Sequence, residues 1–323
     1  MRVTPSDLEA WRSAGLPGRS DGGFDPLPLI NWVTWNRLAD SPVLARRWSV
    51  FASWFSPEEG RRPRQVRWRR IHRLHLPAIP QHFSWWIPTP LDLPGQDILE
   101  DEGLTVANCT ATREGGFIRI TGTPQTLPVE AQGRVALRLT AAERLPRDCA
   151  EHRALSEIIA AVAERFHYDY RFHAAGEYAT GTAAPERWDG SCLDCALTLG
   201  ALFDRQRRPW RLMGGLVVRT AIANPHFWVE CLSQDNLWIP CDPTVPAVLR
   251  MLGRDWRAAV AQAVGIQDTC RLTLVSGGEG LTGLPGGASS RSTGGEAVVT
   301  LAGHTYNAFP CIDWACADCT ASF

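Results

Sequence analysis

Residues 188–218, WDGSCLDCALTLGALFDRQRRPWRLMGGLVV, and 224–245, NPHFWVECLSQDNLWIPCDPTV, decide how this chain folds. Gly190-Ser191 precede Cys192, which opens an apolar run with helical period. Asp194 falls in the first turn of that helix, where a carboxylate complements the unpaired N–H groups. Leu212–Arg219 reads as a strand. His226-Phe227-Trp228-Val229-Glu230 alternates as a second, and Leu237-Trp238-Ile239-Pro240-Cys241-Asp242 as a third. Between the last two lie the turn formers Ser233, Gln234, Asp235 and Asn236. The pattern predicts a hairpin that sets His226 and Asp242 on neighbouring strands, and an antiparallel sheet with one helix against it.

Three side chains in these segments form a chemical set. A thiol is a poor nucleophile until it loses its proton, and a helix N-terminus and a neighbouring imidazolium both favour the thiolate. Cys192 has the first from its own helix and gains the second if His226 folds back onto it. Asp242 then holds His226 in one tautomer and orientation. Cys192 reads as nucleophile, His226 as base and Asp242 as orienting carboxylate. Cys195, one turn beyond Cys192, gives the spacing of a redox pair but is expected to face the core.

These blocks resemble the transglutaminase-like superfamily of cysteine enzymes. Its Gly-x-Cys-x-Asp helix start matches Gly190-Ser191-Cys192-Leu193-Asp194, its His-Ala-Trp-Val-Glu strand matches His226 to Glu230, and its Asp-Pro-Thr matches Asp242-Pro243-Thr244. Upstream, Trp86-Ile87-Pro88-Thr89-Pro90, with Gln96 further on, looks like the strand of the β-rich region that precedes bacterial members. The resemblance spans roughly residues 70 to 260. Phe227 stands where the family has Ala, and Arg207-Arg208-Pro209-Trp210-Arg211 where it has Gly-Ile-Pro-Ala-Arg. It implies an α+β fold with a papain-like transglutaminase core: a nucleophile helix packed on an antiparallel sheet, preceded by a helical and β-sandwich-like N-terminal region. It also implies acyl transfer through a Cys192-His226-Asp242 triad and a thioester, with no cofactor and no metal. The acyl donor is a peptide, amide or thioester. With water as acceptor the enzyme is a cysteine peptidase or amidase, the first reading. An amine acceptor makes it an amide-forming acyltransferase on peptide or carrier-protein substrates. A non-catalytic binding module on the same fold is the third reading. The Cys192 backbone N–H is one natural oxyanion donor; Trp188 is near in sequence but matches no family motif for that role.

The chain has 323 residues, 45% hydrophobic and 21% charged, with a net charge of −1. That length suits one large or two ordinary domains at about 100–200 residues each. The charge gives no bulk case for nucleic acid or an anionic membrane, and no apolar run approaches a membrane helix. The N-terminus lacks the apolar core of a signal peptide, so a cytoplasmic setting and mostly reduced cysteines are expected; a bacterial origin is what the resemblance implies. Lysine is absent and all 33 basic residues are arginine. A GC-rich genome explains this, as does avoidance of self-acylation by an amide-forming enzyme.

Four regions are expected: 1–65, a polar arm and aromatic-rich helices; 66–145, a β-rich domain; 146–265, the catalytic core, opened by an amphipathic helix over 148–166; and 266–323, an extension with a Gly/Ser-rich loop and a cysteine-containing tail. A basic run from Arg61 to Arg73 reads either as a solvated loop and edge strand or as a contact for a phosphorylated partner such as a carrier-protein arm, with the acidic residues 97–102 able to offset it. His304, Cys311, Cys316 and Cys319 have zinc-compatible chemistry but irregular spacing; reduced tail cysteines are the default.

Overall fold

The computed structural model describes residues 62–168, 188–219, 222–251, 253–277, 295–308 and 311–321. The expected N-terminal arm, the aromatic-rich helices, the loop between Ala174 and Pro185 and most of the Gly/Ser-rich stretch lie outside these residues. The β-rich region supplies β1 (Arg64–Leu74), β2 (His82–Pro88), β3 (Gln96–Asp101), β4 (Cys109–Glu114), β5 (Phe117–Gly122), β6 (Val129–Leu139) and β7 (Ala142–Glu143). Next come α1 (Ala150–Arg165), β8 (His167–Tyr168), β9 (Asp189–Gly190), α2 (Cys192–Arg205), β10 (Trp210–Arg219), β11 (Ile222–Leu232) and β12 (Trp238–Cys241). The chain continues through α3 (Thr244–Met251), α4 (Arg257–Val260), β13 (Ile266–Gln267), β14 (Arg271–Gly277), β15 (Glu296–Leu301), β16 (His304–Ala308) and β17 (Cys311–Ala321). No helix among the described residues is long and apolar enough to cross a membrane.

Two sheets form a sandwich, one ordered β17-β1-β6-β3 and the other β16-β15-β2-β5-β4. Alternation explains their faces. On β1, Val66, Trp68 and Leu74 are buried while Gln65, Arg67 and Arg69 are exposed. Leu74, Phe83, Trp85, Ile87, Ile120 and Val299 share one core between the sheets. The tail strand β17 lies antiparallel to β1, Arg64 opposite Ala321 and Arg73 opposite Cys311. His304 and the tail cysteines therefore begin from strands of different sheets.

The basic run divides along β1. Arg64 and Arg70 turn inward, and Arg70 binds Asp101 at 2.6 Å with none of its side chain exposed. Burial works against the Arg70 charge, and Asp101 counters it. Neighbouring β6 arginines meet the acidic cluster: Arg138 lies 2.8 Å from Asp97 and Arg134 3.9 Å from Glu102.

The third sheet, ordered β12-β11-β10-β14, is antiparallel throughout. The predicted strands pair as expected, with Leu212 opposite Val229 and Trp210 opposite Cys231. One core joins this sheet to α1 and α2 through Leu155, Ile159, Leu199, Phe203, Phe227 and Val229. Another joins it to the sandwich, where Trp68, Val135 and Leu137 pack on Leu216, Leu272 and Leu274. This sheet thus lies between helices and sandwich, with strand β14 packed on the sandwich side.

A register shift between Gly214 and Gly215 brings β14 very close to β10. A Cβ on Gly215 would stand 1.8 Å from the Leu272 carbonyl oxygen, a backbone atom that cannot swing away. Gly215→Ala must therefore push the two strands apart. We expect it to cost about 3 kcal/mol of stability, read as a lower thermal midpoint; an unchanged midpoint would show that β14 tolerates displacement.

Candidate active site

Helix α2, which carries the candidate nucleophile Cys192, starts where the sequence marks it. Ser191 is the N-cap, in extended backbone, and Asp194 sits three residues on. Asp194 Oδ2 accepts the Ser191 backbone N–H at 2.7 Å and the Ser191 hydroxyl at 2.8 Å. One side chain thus satisfies the chain just before the helix and brings negative charge to its first turn. Gly190 makes this possible. Its φ of +135° lies where side chains are disfavoured, and a Cβ would meet the Asp194 carboxylate oxygen at 2.5 Å. Gly190, Ser191 and Asp194 together form one capping device that puts Cys192 at the first helical position. Cys195 is fully buried in the core beneath, and burial pushes its thiol well above the ordinary value.

The hairpin brings the other two predicted residues to it. His226 lies in β11. Asp242 lies just past the end of β12, one residue beyond Cys241, which pairs with Val229. His226 Nε2 and Asp242 Oδ2 are 2.7 Å apart, with side-chain exposures of 1% and 0%. A carboxylate can only accept, so Nε2 carries the proton and donates. His226 is also hydrogen-bonded to Cys192, and with Nε2 engaged, Nδ1 is the nitrogen that faces the sulfur. Cys192 is itself 1% exposed. Burial alone would lower the His226 pKa. The Asp242 charge and hydrogen bond, with the Cys192 sulfur, outweigh it and raise the pKa to about 9. Asp242 is the mirror case: burial would raise its pKa, but His226, Arg271 and the Thr244 N–H hold it below the ordinary carboxylate value.

Two neighbours were not legible as site residues. Arg271, the first residue of β14, places Nη2 at 2.8 Å from the same Asp242 oxygen that accepts from His226. Its other terminal nitrogen lies 3.5 Å from Asp268. Burial works against the guanidinium charge, and Asp268 and Asp242 more than offset it. Trp228 stacks on His226 with ring centroids 6.0 Å apart and planes at 22°, and the Arg271 guanidinium lies 5.6 Å from the Trp228 ring. The one available signal was an arginine in an alternating segment, which ordinarily reads as a solvent-facing position.

Gln96 has a definite task. Its amide donates to the Leu91 and Thr273 carbonyls at 2.7 and 2.8 Å and accepts the Thr273 N–H at 2.7 Å. Gln96 thereby ties the sandwich to β14 two residues from Arg271. Glu230, two residues beyond Trp228, accepts from Arg211 Nε at 2.9 Å and lies 3.8 Å from Arg144. Trp228, Glu230, Arg144, Arg211 and Arg271 line a cavity of about 410 Å³, to which neither Cys192 nor His226 contributes. Trp188 lies 3.8 Å beneath the Arg165 guanidinium.

A family model, the transglutaminase-like superfamily, matches residues 138–243. The match takes in α1, α2 and β10–β12 of the helix-on-sheet unit. The match begins in β6 and ends one residue past Asp242, so it takes in Cys192, His226 and Asp242. Among solved structures, one described as "a Putative Cysteine Protease from Cytophaga hutchinsonii" is similar at 14% identity and a TM-score of 0.46, over 80% of this chain and 91% of that one. No curated protein matches the chain. The transglutaminase-like core carries a mixed α and β architecture, helix on antiparallel sheet; the sandwich expected to precede it is instead built from strands on both sides of it in sequence, β1–β6 before and β15–β17 after.

Proposed function

We propose that this protein is a thiol-dependent acyl-transfer enzyme in which Cys192, His226 and Asp242 work as a triad. One observation carries the reading: a cysteine at a helix N-terminus is hydrogen-bonded to a histidine whose other nitrogen is held by a buried carboxylate. The Cys192 thiolate attacks the acyl carbonyl and forms a C–S bond. The bond to the departing amine or thiol breaks, and the His226 imidazolium gives that group its proton. The Cys192 backbone N–H, in the first turn of α2, supplies one donor to the developing oxyanion. The acceptor then attacks the thioester, its proton passes to His226, and the thiolate leaves. Asp242 keeps its charge and holds the ring throughout.

Hydrolysis needs nothing beyond water as acceptor, so a cysteine peptidase or amidase is the first reading. The burial of both Cys192 and His226 favours a second, transfer to an amine, because a site that excludes bulk water protects the thioester from hydrolysis.

Mass spectrometry of the products separates the two. The protein is incubated with peptide amides and thioesters, with and without a primary amine. The chain has no lysine, so a new amide forms on the added amine or on the α-amino group alone. Free acid as the main product with amine present identifies a hydrolase; the amide as main product identifies a transferase. Neither product from any donor would contradict acyl transfer and bring forward the non-catalytic binding reading.

A further inference from the structure

We propose that Arg271 is a positioning residue of this site: by sharing one carboxylate oxygen of Asp242 with His226, it fixes the carboxylate and restrains the proton affinity of the imidazole. This rests on the acyl-transfer reading for its purpose, but not for its test.

The geometry is a closed ring of contacts. Asp242 Oδ2 receives His226 Nε2 at 2.7 Å and Arg271 Nη2 at 2.8 Å, and Oδ1 receives the Thr244 N–H at 3.1 Å. Trp228 closes the ring by stacking on His226 and lying under the guanidinium. Asp242 therefore cannot rotate without losing a charged bond. The strand that carries Arg271 is clamped by Gln96 through both backbone groups of Thr273.

The second consequence is electrostatic. A histidine facing a lone carboxylate in a dry pocket holds its proton too firmly to be a useful acid, since general acids work best when their pKa lies near the working pH. Because His226 and Arg271 sit on one oxygen, their charges are a few ångströms apart and repel. The guanidinium draws on the carboxylate field that would otherwise act on the imidazolium alone. The other charged or titratable groups around this pair are Cys192, Asp194 and Cys195 on α2, Glu230 on β11 with Arg211 and Arg144 behind it, and Asp268 and Cys270 beside Arg271. Among these, Asp268 is the counter-charge to Arg271 on the Asp242 side of the ring.

The test is an NMR titration of the His226 ring in full-length protein carrying Cys192→Ala, so that the imidazole titrates without the coupled thiol. Arg271→Gln keeps a hydrogen-bond donor and removes the charge. It should move the His226 midpoint upward by about one to two pH units, as loss of a unit charge at this range implies. Arg271→Lys keeps the charge and should leave the midpoint within about half a unit of the parent. Asp268→Asn keeps the guanidinium and removes its second partner, and should move the midpoint downward. That variant alters a partly exposed side chain and decides the question if Arg271→Gln does not fold. A midpoint that stays in place in Arg271→Gln, or that moves upward as far in Arg271→Lys, overturns the inference, as does an upward shift in Asp268→Asn. None of these outcomes depends on turnover: an active enzyme with an unmoved titration sinks the role of Arg271 alone, and an inactive protein with the expected shifts sinks acyl transfer alone.

Discussion

Cys192→Ala leaves the protein folded and without acyl-transfer activity. The thiol supplies the only atom that bonds to the acyl group, so the expected loss in turnover is on the order of a million-fold, the scale seen when the nucleophile of a triad is removed. His226 and Asp242 cannot make up for it, because members of such a set act as a unit. The stability change should be small by comparison, roughly 1 kcal/mol, since alanine fills most of the space of a side chain that is 1% exposed and the Ser191–Asp194 cap is untouched. Rate and thermal midpoint are measured together. Activity retained in the folded variant would show that another group is the nucleophile.

Asp242→Asn damages both activity and stability. The amide keeps the shape of the carboxylate but removes the charge shared by His226 and Arg271. Turnover should fall by about 10³–10⁴-fold, because the imidazole loses its fixed tautomer and the imidazolium its counter-charge. Stability should fall by about 3–5 kcal/mol, the cost of leaving a buried cation with one partner removed.

The pH dependence sharpens this prediction. The His226 pKa is raised from an ordinary 6.5 to about 9 in the folded protein. A raised folded pKa contributes stability that is complete below about pH 6.5 and is lost as the pH rises through about 9; the full amount is roughly 3 kcal/mol. Asp242 acts in the opposite sense, contributing above its unfolded pKa and losing that contribution only in acid. Thermal midpoints of the native protein should therefore decline between about pH 6.5 and 9, and Asp242→Asn should flatten that decline. A native protein with no slope there would mean that the imidazolium–carboxylate pair does not form.

The site was legible in sequence where its chemistry is local. Gly190, Ser191, Cys192 and Asp194 lie within five consecutive positions and form a single capping device, so their spacing carries the structure directly. His226 and Asp242 are joined by a short hairpin whose turn residues fix the pairing. The amphipathic helix over 148–166 appears as α1 (Ala150–Arg165), its apolar stripe buried at Leu155, Ile159 and Val162. What stayed hidden depends on distant pairing. Arg271 acquires its meaning from a carboxylate 29 residues earlier, and its own segment shows only a charge in an alternating strand. Gln96 stands in the motif that carries the resemblance, but its task is on a backbone 177 residues away and could not be read from that motif. Strand β17 (CIDWACADCTA) has weak alternation, and its partner β1 lies near the other end of the described chain. Arg257–Val260 forms a single helical turn, after which the chain turns back so that Asp242 and Gly265 can bond to Ala263 and Pro240.

The central claim is a thioester on Cys192, and intact-mass spectrometry after mixing with a reactive acyl thioester tests it most directly. The account predicts one added acyl mass, removed by neutral hydroxylamine and missing in Cys192→Ala. An adduct that resists hydroxylamine, that persists in Cys192→Ala, or that spreads over several cysteines would contradict it.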